Sequence, residues 1–406
     1  MHLFLYNIFF FLSLPILLLH ICYKALSDST YLKDLKSRFG FSPCSNDKPL
    51  WIHAVSLGEV VGVEPLVRIL EKNHSIVITV STGTGYKKAK EIFSQHSVAF
   101  APWDFFIFIR IFLHRASPSA LIIFETEIWP NMILQSKKFG NKIILVNGRL
   151  NQQSFQRYQK VQGLLKRTLD AIDLFCLQTS AHQKRFEALG APSNKIRVYG
   201  SMKFDMNSRA TNVFDSLGEF ILLASTHHNE EEEILKVLEK RTQFLRSRIV
   251  ICPRHPERAS EILNFLSSNN HKASVLSNIT NLEGNNDQFI IIDAIGHMHS
   301  LYKSAQVCVL GGSFFPHGGH NIIEPALHDC PVISGPHFFN FESIFQDFID
   351  AKACLIAKDY DDLLQLLNSV DDLDLKNVAA HAHSVVEKHR GSSAKQAQAI
   401  MEMMQE

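Results

Sequence analysis

The segment Gly311-Gly-Ser-Phe-Phe-Pro-His-Gly-Gly-His-Asn-Ile-Ile-Glu-Pro-Ala326 closes an apolar, β-branched run, Val307–Gly312. Glycines let backbone approach a ligand closely, and a helix opening at Asn321–Ala326 would offer free N–H groups to phosphate. Glu324 falls in that first turn, where its carboxylate could accept two ribose hydroxyls. A structural turn whose Glu merely suits the helix dipole is the plainer alternative. The whole string at a strand end favours nucleotide binding. Pro253-Arg254-His255-Pro256-Glu257-Arg258 follows another such run and sets an arginine where it can meet phosphate or a base edge. Glu59, at the end of His53-Ala-Val-Ser-Leu-Gly-Glu59, sits where a strand gives way to a helix. Partly desolvated there, a carboxylate gains a raised pKa and can act as general base; a solvated first-turn Glu is the ordinary alternative. Glu125-Thr-Glu-Ile-Trp-Pro-Asn131 places two carboxylates at a further strand end. In a strand, Glu125 and Glu127 would point the same way and suit acid–base work or sugar binding.

Other patterns carry less. Gly83-Thr-Gly85 follows a strand, but Lys88 stands where a dinucleotide fingerprint needs its third glycine, and no GxxxxGK[ST] occurs. Asp359-Tyr-Asp361 and Asp372-Leu-Asp374 match the DxD spacing of metal-dependent sugar transferases, yet they lie in a polar helical region and read as solvated caps. His317 and His320 have HxxH spacing without a third ligand. The run Glu230–Glu233 opens a helix, which the dipole alone explains.

These residues need strands to carry them. Apolar runs recur at 51–56, 75–81, 98–103, 121–125, 142–147, 174–179 and 196–200, then at 220–226, 247–253, 289–294, 307–312, 331–336 and 353–357, with helical patterns between. Such alternation predicts two doubly wound, Rossmann-like parallel-sheet α/β domains, with ligands beyond the carboxyl ends of the strands and a cleft between the domains. A polar stretch within 201–217 reads as the linker.

The chain has 406 residues, enough for two domains, and 46% of them are hydrophobic, which excludes global disorder. The net charge of +1 argues against a basic nucleic-acid binder, but it hides a split. Residues 1–200 carry 24 basic and 13 acidic side chains; residues 201–406 carry 17 and 27. Seven cysteines (Cys22, Cys44, Cys176, Cys252, Cys308, Cys330, Cys354) form no CxxC pair and read as reduced thiols in a reducing compartment.

Leu3–Tyr23 holds no Asp, Glu, Lys or Arg and is long enough, at ~1.5 Å per residue, to reach the ~30 Å of a hydrocarbon core. Lys24, Lys33, Lys36 and Arg38 follow it, which places the body in the cytoplasm by the positive-inside rule. The segment reads as an uncleaved anchor, and Pro15 leaves a slanted or half-inserted helix open. Phe105–Leu113 reads either as a buried helix or strand or as a surface helix dipping into the bilayer. On one helix, Arg157, Lys160 and Arg167 would share an arc beside Val161, Leu165 and Leu169.

Taken in order, WIHAVSLGEV, ETEIWPN, VNGRLN, VYGSMKFD, ASTH, PRHPER and GGHNIIEPA cover nearly the whole chain, and together they resemble the Kdo (3-deoxy-D-manno-octulosonic acid) transferase family of lipopolysaccharide biosynthesis. The resemblance implies a GT-B fold and inverting transfer of Kdo from CMP-Kdo to a lipid A precursor, without metal or other cofactor. It implies an anchor over 1–24, an acceptor-binding domain over 25–205 and a donor-binding domain over 206–406, whose last helix is free to pack back on the first domain. It makes Glu59 the base, and Glu127 and Lys203 supports of the transition state. It sets Pro253, Arg254, Gly296, His297, Met298, Asn321, Ile322, Ile323 and Glu324 against CMP. The family usually has Glu where His297 stands, and Asn-Ala-Arg-Leu-Ser where this chain has Asn147-Gly-Arg-Leu-Asn151. Expected partners are CMP-Kdo, the lipid A precursor and the anionic surface of the inner membrane at its cytoplasmic face, with no nucleic acid. A nucleotide-sugar epimerase of similar architecture is the alternative.

Overall fold

The computed structural model describes residues 2–41, 47–206, 210–238, 248–279, 282–369 and 373–405. Cys44, Asp372, residues 207–209 of the expected linker and Ser247 at the head of one apolar run lie outside them. The chain divides into two compact units, Met1–Met206 with Arg390–Glu406, and Asn207–His389.

The first unit is built on seven parallel strands: β1 (Leu50–His53), β2 (Ile76–Val80), β3 (Ser97–Phe100), β4 (Ala120–Phe124), β5 (Lys142–Gly148), β6 (Leu174–Leu177) and β7 (Ile196–Val198). Their order is β3-β2-β1-β4-β5-β6-β7. β1, β2 and β4 are buried along their whole length, because helices cover both faces. The strand order reverses direction between β1 and β4, so the loops after these two strands diverge and leave a crevice. Glu59 follows β1, and Glu125 with Glu127 follows β4.

The second unit repeats the plan with β8 (Phe220–Thr226), β9 (Arg248–Pro253), β10 (Ala273–Val275), β11 (Phe289–Ile291), β12 (Val307–Leu310), β13 (Val332–Ser334) and β14 (Leu355–Ile356), ordered β10-β11-β9-β8-β12-β13-β14. Its reversal lies between β8 and β12. β10 is the strand that the apolar runs do not announce: it is three residues at a sheet edge, and only Val275 is buried.

Helix α1 (His2–Ser27) precedes the first sheet. The crossovers include α2 (Leu57–Leu70), α3 (Gly83–Ile92), α4 (Phe106–Ala116), α5 (Pro130–Lys138), α6 (Gln152–Gln159), α7 (Gln162–Asp170) and α8 (Ser180–Ala188). Phe105–Leu113 thus lies largely in a helix that buries Ile109, Phe112 and Leu113 while Arg110 stays exposed. The expectation that Arg157, Lys160 and Arg167 share one helix fails. The chain breaks at Lys160–Val161, so Arg157 and Arg167 sit on different helices and no single arc exists. The last helix, Ser392–Gln405, belongs to the first unit, where Ala397 and Ile400 join the core with Val63 and Leu66 of α2.

Five cysteines (Cys176, Cys252, Cys308, Cys330, Cys354) are buried free thiols, and burial pushes each above its ordinary pKa. Asp359 caps its helix by accepting the N–H of Asp362 at 2.8 Å, which accounts for one DxD match.

Candidate functional site

In the first unit, Ser56 ends the β1 loop and Glu59 stands in the first turn of α2. Glu59 Oε2 accepts the Val55 N–H at 2.9 Å, and Oε1 accepts the Ser56 hydroxyl at 3.1 Å. The carboxyl is therefore folded back on its own turn and half-buried. Burial, then the charges of Glu125 and Glu127, raise its pKa to about 8, against the opposing pull of the two hydrogen bonds. It sits where a base is poised near neutral pH.

Glu125 and Glu127 do not alternate along a strand, as the spacing suggested. β4 ends at Phe124, and Glu125 takes φ +61°, so the period-two rule no longer applies. Glu125 turns into the protein and is 6% exposed. Its Oε2 accepts Arg149 Nε at 2.8 Å and its Oε1 pairs with Lys203 Nζ at 2.9 Å. Burial would raise the Glu125 pKa, but the two cations outweigh it and hold the carboxyl below the ordinary carboxylate range. Glu127 instead accepts the Trp129 indole N–H at 2.8 Å. Burial raises its pKa, and the Glu125 charge adds to that. The Lys203 ammonium is thus committed to Glu125 rather than to Glu127.

A second layer fixes this set. Asn147, at φ +51°, accepts the Met202 N–H on its side-chain oxygen at 3.0 Å, and its own N–H is taken by Gln396 Oε1 at 2.9 Å. Asp205 accepts the N–H groups of Gly391 and Ser393, both at 2.6 Å. The segment carrying Lys203 is therefore pinned on both sides. A Cβ on Gly62 would come within 3.0 Å of Phe124 and 3.9 Å of Lys203, so α2 packs close against that segment.

In the second unit the residues expected against CMP follow β9, β11 and β12; β11 and β9 are neighbours, and β8 stands between β9 and β12. Pro253 closes β9 and is buried; Arg254 comes next, exposed, with its N–H on Thr226 O at 3.0 Å. Gly296, at φ +104°, leads from β11 to His297 and Met298. The His297 ring packs edge-on against Phe214 at 5.7 Å. After β12, Asn321 donates to Glu324 Oε1 at 3.1 Å and accepts the Ile323 N–H at 3.1 Å. Ile322 and Ile323 are buried. The expected helix over Asn321–Ala326 shrinks to one turn, Ile323–Ala326, because Asn321 uses its side chain to bridge into that turn from outside.

The glycine loop is tight. A Cβ on Gly311 would lie 2.7 Å from Ser225 O and Thr226 Cα. Gly311→Ala should cost about 1–3 kcal/mol of stability, measured by denaturant unfolding. Gly312 takes φ +66° beside the rings of His227 and His320, whose Nε2 atoms are 3.0 Å apart. Burial first, then neighbouring cationic groups, lowers both histidines to about 4, so they are neutral at pH 7. His317 stacks on His227 at 4.6 Å. Among the described residues no three His, Cys, Asp or Glu side chains converge as a metal site.

Sequence patterns missed Glu230. The run Glu230–Glu233 does open α9 (Glu230–Leu238), but Glu230 is buried and accepts the N–H of Gly312 at 2.8 Å and of His227 at 3.0 Å. It ties the glycine loop to the end of β8. Glu231 is buried beside it and accepts Arg258 through both oxygens, at 2.8 and 3.1 Å. A run of four acids looks like a solvated helix start; only the loss of solvent around two of them shows the difference.

Residues 33–206 match the family model described as 3-Deoxy-D-manno-octulosonic-acid transferase (kdotransferase). The 3-deoxy-D-manno-octulosonic acid transferase of Haemophilus influenzae is 32% identical over 95% of this chain and 96% of that protein. The enzyme of the same name from Bordetella pertussis is 31% identical over 90% of each. A solved UDP-N-acetylglucosamine 2-epimerase superposes with TM-score 0.61 at 12% identity, covering 86% of this chain and 95% of that one. The epimerase shares the GT-B-like pair of parallel-sheet domains, and the transferases share the sequence as well. The chain belongs to the 3-deoxy-D-manno-octulosonic acid transferase family and is a glycosyltransferase.

Proposed function

We propose that the chain transfers Kdo from CMP-Kdo to a hydroxyl of a lipid A precursor, with inversion, at the cytoplasmic face of the inner membrane. The observation that carries this reading is the Glu59 carboxyl, half-buried, held by its own turn and raised to about 8. Ionised Glu59 takes the acceptor hydroxyl proton as that oxygen bonds to the anomeric carbon. The bond from that carbon to the CMP phosphate breaks, and CMP leaves with the electron pair. Lys203 and Arg149, set around Glu125, supply fixed positive charge to the acidic sugar or the departing phosphate. Glu127 stands on the same turn as Glu125 and orients the acceptor.

The donor is held by Arg254 and Pro253, by the backbone at Gly296–Met298, and by Asn321–Glu324, with Glu324 accepting the ribose hydroxyls. Glu230 positions this loop without touching the ligand. Glu230→Gln keeps the shape and an acceptor oxygen but loses the charge that strengthens the bonds from Gly312 and His227. It should raise KM for CMP-Kdo about tenfold, the equivalent of one lost charge-assisted hydrogen bond, with little change in kcat. A merely structural role would instead lower thermal stability and leave KM of the residual enzyme untouched.

The reaction needs no metal in this reading. The test is incubation with CMP-Kdo and lipid A precursor, with and without chelator, followed by product mass. A Kdo adduct formed equally under both conditions supports the proposal. Conversion of a free nucleotide sugar to its epimer, without an adduct, overturns it.

A further inference from the structure

Helix α1 is long and apolar enough to cross a membrane, over Leu3–Leu26. Its burial follows a strict helical stripe. Ile21 is buried and Tyr6, Asn7, Phe10, Leu14 and Leu17 are partly shielded on the side of the first unit, while Phe9, Leu12, Ile16, Leu19, Tyr23 and Leu26 face out. Phe9 is 73% exposed and Leu26 85%. Shielding runs the length of the helix, so both of its ends touch the same unit. Near the N-terminus, the Tyr6 hydroxyl donates to Asp104 at 2.8 Å and Asn131 Nδ2 donates to Asn7 Oδ1 at 3.0 Å. Phe10 stacks on Phe105 at 5.9 Å. At the other end Ile21 is buried, and Asp28, just past the helix, pairs with Lys87 at 2.9 Å. Tyr6 and Lys24 are about 27 Å apart along the axis. A helix crossing the bilayer would put that distance between Tyr6 and the globular unit.

We propose that α1 lies flat in the cytoplasmic leaflet, held to the first unit by Tyr6, Asn7 and Phe10, with its outer face among the acyl chains. The outer face is free of acidic residues, as a lipid-facing surface must be. Exposed cations suited to headgroup phosphates flank it in sequence, at Lys24, Lys33 and Lys36, and others sit on α4, at Arg110 and Arg115. This rests on the membrane reading above and adds how the membrane meets the active residues. Asn131 is the second residue of α5, four residues after Glu127 and two after the partly exposed Trp129. The helix is therefore fastened to the segment that carries Glu127. A lipid-held hydroxyl arrives at the level of that segment without leaving its leaflet.

The test uses the full chain with Cys22→Ser and Cys44→Ser, carrying one nitroxide label at Phe9→Cys, Leu12→Cys, Ile16→Cys or Leu19→Cys. All four positions face outward, so labelling spares the fold, and Kdo transfer by each form confirms it. In phosphatidylethanolamine–phosphatidylglycerol vesicles, relaxation by oxygen against a water-soluble nickel complex reports depth. The four labels should share one shallow depth, about 5–10 Å below the headgroups. A graded profile that deepens and then emerges on the far side overturns this inference alone. Labels that stay in water with the protein bound overturn it in favour of a protein partner for this face. Failure to bind vesicles defeats it together with the membrane reading.

Discussion

Glu59→Gln is expected to lower kcat for Kdo transfer by about a thousandfold, within the range that a positioned general base supplies. The substitution keeps the side-chain shape, so the turn at Ser56 and the start of α2 persist. It removes the only function that shape cannot replace, the capacity to take a proton. CMP-Kdo affinity is expected to stay within about twofold, because the residues proposed to hold CMP lie in the other unit. Equilibrium binding and single-turnover rates separate the two effects. Near-normal turnover would remove Glu59 from the mechanism.

The second large effect is expected at Glu125. This carboxylate is buried and holds two cations, Arg149 and Lys203. Glu125→Ala strips the Lys203 ammonium of its counter-ion inside the protein, which typically costs 3–5 kcal/mol. Denaturant unfolding should show that loss, and transfer should fall with it, since the positive charge proposed to serve the reacting sugar is no longer held in place. Lys203→Arg keeps the charge and should retain stability better than activity. The folded-state pKa of Glu125 is depressed, so its contribution to stability is present above the ordinary carboxylate range. It is lost as pH falls through the folded value. Glu59 has the opposite sign. Its folded pKa is raised from 4.5 to about 8, so the stability tied to its protonated form is present below 4.5 and is lost as pH rises through 8. The ionised form that serves as base is thus the form that folding disfavours.

Much of the fold was legible because most strands are buried on both faces and read as unbroken apolar runs. β10 was not, because an edge strand with one buried residue leaves no such run. The two carboxylates at the end of β4 were legible as a pair, but not their division of labour. The positive φ at Glu125 sends one inward to the cations and leaves the other beside Trp129. Glu230 was hidden by its neighbours, because four consecutive acids signal a helix start whatever their burial. The one-sided packing of α1 was hidden for a different reason. A helix apolar on every face carries no amphipathic signal, and the trace of its inner face lay only in Tyr6, Asn7 and Ser13, polar residues at helical spacing along one side.

The central claim is that Glu59 is the base of a Kdo transfer, and the pH dependence of kcat/KM tests it most directly. Between about pH 6 and 9 the wild-type rate should rise with pH along a limb near 8, then level off, because only the ionised carboxylate accepts the proton. The limb should be absent from the residual activity of Glu59→Gln. A flat wild-type profile, or the same limb in both proteins, would contradict the assignment.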